Sequence, residues 1–140
     1  METEGLLSPA TEREAREHYE ALGPAAQVLV REVARAMEFD REEYDRRVTS
    51  GVVETARDVL FASLLSVRVG TREEFEEWCA DNPDYERREA GSEHVDYVVW
   101  HAAPAAEVVA AATFQDERDA AVGTLRRQAF GRVYRGIVTE

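Results

Sequence analysis

The chain has 140 residues, 44% of them hydrophobic and 33% charged, which suits one domain with its own core and leaves no room for several. Twenty-nine acids stand against seventeen basic residues for a net charge of −12, and all seventeen are arginine, with no lysine at any position. A single cysteine, Cys79, excludes an intramolecular disulfide and a Cys-pair zinc motif.

The opening Met-Glu-Thr-Glu-Gly-Leu-Leu-Ser lacks a basic start followed by an apolar run, so it is not read as a signal peptide. The longest mildly apolar run, 102–114, is shorter than a bilayer requires and carries Pro104 and Glu107. A cytoplasmic protein without a membrane partner is expected, a single domain over 1–140 with residues 1–8 as a flexible N-terminal arm.

Ser8-Pro9 reads as a helix start, a hydroxyl N-cap with proline at the first helical position. Ala15, His18, Tyr19 and Leu22 then form a narrow apolar stripe on a charged helix. After Gly23-Pro24, Ala26, Leu29, Val30, Val33 and Met37 recur at helical spacing and predict the clearest helix of the chain. Asp40 with Glu43 makes a capping-box pattern for a short third helix to about Val48, ended by Thr49-Ser50-Gly51.

Residues 58–70, Asp-Val-Leu-Phe-Ala-Ser-Leu-Leu-Ser-Val-Arg-Val-Gly, are the most apolar interior stretch. Read with period two, both sides are apolar, which predicts a strand from about Val59 covered on both faces. Val52, Val53, Ala56, Val59, Leu60 and Leu64 also fit helical spacing, but the alternating β-branched residues before Gly70 favour the strand. Residues 52–58 suit a helical turn or an additional strand equally.

Thr71 and Glu74 form a second capping box for a short helix with Phe75, Trp78 and Cys79 on one side. Asp81-Asn82-Pro83 stops it, and the polar stretch through Glu93 reads as a loop with room for a short edge strand near Tyr85. Val95 to His101 and Ala106 to Phe114 alternate on either side of Ala102-Ala103-Pro104 and predict an antiparallel hairpin. From Asp116, Val122, Leu125, Ala129, Val133 and Ile137 share a helical arc. The resulting fold class is α+β, with N-terminal helices followed by a β-α-β-β-α unit and a small three-stranded, mainly antiparallel sheet.

Few residues point to chemistry. His94, Asp96, Trp100 and His101 sit at one end of the predicted hairpin and are the candidate ligand-binding set, but their spacing matches no metal motif. Cys79 lies near a helix C-terminus behind Glu73, Glu74, Glu76 and Glu77, where dipole and charge both disfavour a thiolate, so it is not a nucleophile. The same acids lack the spacing and glycine of a calcium loop. Arginines outnumber acids only over 117–140, where Arg118, Arg126, Arg127, Arg132 and Arg135 oppose Glu117, Asp119 and Glu140. Those arginines project loosely, and phosphate contacts weaken steeply with salt, so nucleic-acid binding is disfavoured. No phosphate loop, serine elbow or dinucleotide fingerprint occurs. No catalytic residue, metal ligand or cofactor is assigned.

Acid excess with arginine in place of lysine resembles the proteins of extremely halophilic archaea. In molar salt the screening length shrinks to about 3 Å, so self-repulsion within such a chain is muted. With Glu54-Thr55-Ala56-Arg57-Asp58-Val59-Leu60-Phe61-Ala62-Ser63-Leu64-Leu65 and Val99-Trp100-His101, the chain resembles a family of small uncharacterised haloarchaeal proteins. That resemblance implies a domain of unknown function and supplies no site residues. The leading functional expectation is a non-enzymatic association module, a homodimer through a strand edge or the N-terminal helices, or a binder of another protein. The second is a small-ligand or metal-binding protein, enzymes included, built on His94, Asp96, Trp100 and His101.

Overall fold

In the computed structural model, which describes residues 1–92 and 94–139, a short strand β1 (Glu2–Glu4) precedes four helices, α1 (Glu12–Ala21), α2 (Gly23–Ala36), α3 (Arg41–Arg47) and α4 (Ser50–Leu64). Strand β2 (Val67–Thr71), helix α5 (Arg72–Asp81), strands β3 (Glu86–Ala90), β4 (Tyr97–Ala103) and β5 (Val108–Phe114), and helix α6 (Arg118–Ala129) follow. The last helix continues through a π turn at Phe130–Tyr134 into a short α7 (Arg135–Val138). Glu93, the end of the predicted loop, and Glu140 lie outside the described residues.

The fold is α+β, but its sheet has five strands in the order β1-β2-β4-β5-β3, two more than the sequence pattern predicts. Neighbours pair antiparallel except β3 with β5, which run parallel, so the sheet is mixed. Both additional strands are edges. Their sequences, Glu-Thr-Glu and Glu-Arg-Arg-Glu-Ala, have no apolar alternation, although β3 falls where the polar stretch leaves room for a short edge strand near Tyr85. Backbone pairing holds them in place, and their charges discourage further strands from adding on.

The stretch expected to be a flexible arm contains β1, and the residues after it are tied to the end of α4. The backbone N–H groups of Leu6 and Leu7 donate to the Leu64 carbonyl at 2.9 and 2.8 Å, and Ser66 N–H donates to the Leu7 carbonyl at 2.7 Å. Pro9 is fully buried and the Ser8 hydroxyl donates to the Ala102 carbonyl at 3.1 Å, so this pair anchors the chain instead of starting a helix. The N-cap of α1 is Thr11, whose hydroxyl accepts from Glu14 N–H.

Residues 58–70, expected as one strand, are helix as far as Leu64. Thr49, expected to break the third helix, caps α4 by accepting from Val52 N–H at 3.3 Å, and the helix then runs to Leu64. Residues 52–58 are therefore helical, and the strand begins at Val67 instead of Val59. Phe61, Ala62 and Leu65 are buried while Val59 and Ser63 are exposed, a helical spacing that the period-two reading concealed.

A strand buried on both faces does organise the sheet, but it is β4. Val99, His101 and Ala103 point into the larger core with Phe61, Leu125 and Tyr134, while Val98 and Trp100 point to the other side, where Phe75 of α5 covers them. The hairpin β4–β5 forms with the register Val99 opposite Ala112 and His101 opposite Ala110, its turn shifted to 104–107. The Asp40 cap of α3 forms, and at α5 the Thr71–Glu74 capping box is complete in both directions.

Candidate functional site

The four residues singled out from the sequence do not share a site. His94 and Asp96 are exposed before β4 begins, where Asp96 accepts the Arg72 N–H through its backbone carbonyl at 2.9 Å. Trp100 and His101 are consecutive on β4 and therefore face opposite sides of the sheet. Trp100 packs against Phe75 with ring centroids 5.2 Å apart. His101, 1% exposed, is held at both ring nitrogens, Nδ1 2.6 Å from the Ser66 carbonyl and Nε2 2.6 Å from the Tyr134 hydroxyl. Burial pushes its pKa down to about 4, against a smaller opposing effect of the Ser66 bond, so the ring is neutral at ordinary pH.

Several of the acids and arginines that the sequence sets aside serve the structure. Arg87 clasps Glu76 with 3.0 and 2.8 Å bonds, Arg72 pairs with Glu89, and Glu74 closes the α5 cap. Hydrogen bonding from Arg87 holds the Glu76 carboxyl below the usual range. Burial pushes the Cys79 thiol up. Arg118 pairs with Glu2 and Glu4, fastening α6 to the edge strand, and Arg126 donates through Nε to the Leu65 carbonyl at 3.0 Å. Among the described residues no three His, Cys, Asp or Glu side chains are arranged to hold a metal ion.

What stands out is an apolar surface on the N-terminal helices. Helix α2 buries Gly23, Ala26, Val30 and Ala34, a stripe of small residues that lets it lie close to α4. Leu29, Val33 and Met37, which the sequence pattern places in the core, face outward at 39, 49 and 62% exposure. Helix α4 adds Val52 and Val59, so among the described residues five of the nine large exposed apolar side chains, counting Val28, lie on these two helices, and a sixth, Met37, caps the end of α2. Between them runs a groove of about 450 Å³, lined by Leu29, Val33, Met37, Phe39, Val48 and Val52. Its charged member, Arg47, lies over the Phe39 ring at 5.6 Å.

The signal for this surface was present as two apolar stripes on one helix. Only one can face the core of a single molecule, and the small-residue stripe wins because α4 packs flush against it. In a chain that is one third charged, a second apolar stripe at the surface is out of keeping with the rest of the exterior.

A family model matches residues 6–135, nearly the entire polypeptide, and its description is Family of unknown function (DUF5809). The chain belongs to this family. No curated protein and no solved structure matches it. The matched span of this DUF5809 protein takes in the α2–α4 groove, the His101–Tyr134 pair and all strands except β1. No helix among its described residues is long and apolar enough to cross a membrane.

Proposed function

We propose that this protein is a non-enzymatic association module of a salt-rich cytoplasm that pairs with a second copy of itself through α2 and α4. The observation that carries the reading is the outward row Leu29, Val33 and Met37 beside Val52, an apolar groove left uncovered by the chain's own elements. Apolar surface of this kind is stabilised by contact with another such surface, and a two-fold pairing sets like against like.

Charge also favours a second copy at this face. Helices α2 and α4 together carry three arginines and three acids, so they are locally neutral in a chain of net charge −12. Outside the arginine-rich 117–140 segment, two copies approaching elsewhere meet an excess of acid, whereas this face is balanced. The strand edges are poor alternatives, since β1 is three residues long with two glutamates and β3 holds four charges in five residues.

Sedimentation equilibrium in molar potassium chloride tests this. The expected species is twice 15.8 kDa at micromolar concentration, and Val33→Glu, which places a charge in the groove wall, is expected to return the protein to 15.8 kDa with unchanged circular dichroism. A wild-type mass of 15.8 kDa at every concentration would sink the reading.

A further inference from the structure

A second concavity, on the face of α4 adjoining the apolar groove, with Thr55 between the two, has a different character. Helix α4 and the C-terminal helix meet through Phe61, whose ring lies 5.8 Å from Phe130 and 5.4 Å from Tyr134, both edge-on. Beyond that contact they diverge and leave a cleft of about 470 Å³ floored by the buried Ala62 and Phe130. Glu54 and Asp58 stand on the α4 wall, and Arg127 and Arg135 stand on the other.

Three features make this cleft a built one. The first is the π turn. At about 100° per residue, positions 130 and 135 of an α-helix point well apart. Here Arg135 N–H bonds to the Phe130 carbonyl, an i→i+5 link that brings the two onto one face, with the guanidinium 5.4 Å above the Phe130 ring. Insertions of this sort concentrate at functional sites. The second is Asp58, whose carboxylate accepts a 2.6 Å hydrogen bond from the largely buried Tyr19 hydroxyl and is thereby fixed in place.

The third is the absence of closure. Among the described residues neither Arg127 nor Arg135 pairs with an acid, and Arg127 reaches only the Thr124 hydroxyl at 3.4 Å. Other charged pairs on the surface do close, as Arg87 does on Glu76 and Arg118 on Glu2 and Glu4. Here two acids and two arginines face each other across an open space without meeting.

We infer that this cleft binds a small zwitterion with an apolar body, its carboxylate on Arg127 and Arg135, its ammonium against Glu54 and Asp58, and its side chain over Phe130 and Ala62. The volume suits a small molecule. A ligand with no net charge also releases few ions on binding, so its affinity survives the salt that would erase a simple anion site.

The test is a chemical-shift titration of the full chain in molar potassium chloride with three probes: L-phenylalanine, phenylacetate, which lacks the ammonium, and phenethylamine, which lacks the carboxylate. L-Phenylalanine is expected to saturate the amides around 54–62 and 127–135 at least tenfold more tightly than either fragment. Arg135→Gln, which also gives up the contact over the Phe130 ring, and Glu54→Gln, both exposed, are each expected to weaken it at least fivefold. Arg132→Gln, outside the cleft, is expected to leave it unchanged. No saturation by L-phenylalanine overturns the inference, and phenylacetate binding as tightly as L-phenylalanine overturns the zwitterion assignment in favour of an anion site.

Discussion

The Tyr134 hydroxyl and His101 Nε2 lie 2.6 Å apart in a region with no access to water, and their hydrogens can be placed by elimination. The Ser66 carbonyl accepts only, so Nδ1 carries the ring proton and donates to it. Nε2 is then an acceptor, and Tyr134 donates. The single buried polar residue of the core among the described residues is therefore fully satisfied in one protonation state and in no other, and it joins β4, the β2 approach and the π turn.

That arrangement makes stability depend on pH. A histidine with a folded pKa of about 4 and an ordinary value of 6.5 binds fewer protons folded than unfolded between those limits, so its contribution is complete above about pH 6.5 and falls away as pH drops toward 4. The full loss is on the order of 3 kcal/mol, and the part reached at pH 5 about 2 kcal/mol. Urea unfolding at pH 7 and pH 5 measures it. In His101→Asn, which keeps a donor for Ser66 but does not titrate, the difference is expected to shrink to what the carboxylates contribute.

Tyr134→Phe removes the donor and leaves Nε2 buried without a partner. An orphaned buried acceptor costs about 1–3 kcal/mol, more than the hydrogen bond itself contributes. The double variant His101→Leu with Tyr134→Phe removes both partners and is expected to recover part of that loss, measured as the midpoint in urea at pH 7. A single variant as stable as the wild type would show that water or a shifted Ser66 satisfies the ring.

How much of this was legible beforehand depended on whether a signal was local. Caps at Asp40 and Thr71 were readable because the hydroxyl or carboxylate and its partner lie three residues apart in sequence. The hairpin was readable because both strands alternate. The helix at 50–64 competes with a strand from Val59 in the sequence because Phe61, Ala62 and Leu65 are buried among other apolar residues, and a stretch rich in them satisfies period two and period 3.6 together. Edge strands β1 and β3 gain their place from pairing with distant residues, Val69 and Ala110 among them, which no local pattern encodes. The site failed for a related reason. Consecutive residues such as Trp100 and His101 look adjacent in sequence, yet in a strand they are separated by the thickness of the sheet, while Asp58 and Arg135, far apart in sequence, line one cleft.

A net charge of −12 on 140 residues repels itself and also opposes pairing of two copies. The screening length falls from about 30 Å at 0.01 M salt to about 10 Å at 0.1 M and 3 Å at 1 M, so most of the repulsion is removed below molar salt. Thermal unfolding in potassium chloride is therefore expected to show a midpoint rising steeply over that range, by roughly 10 °C if the repulsion is worth about 2–3 kcal/mol. Dimerisation is expected to strengthen over the same range, because the neutral α2–α4 face supplies attraction while distant acids supply the opposing repulsion. Val33→Glu removes the second dependence but not the first. A midpoint that stays constant from 0.01 to 1 M would show that the acids are far enough apart, or paired well enough with the seventeen arginines, for their repulsion not to matter.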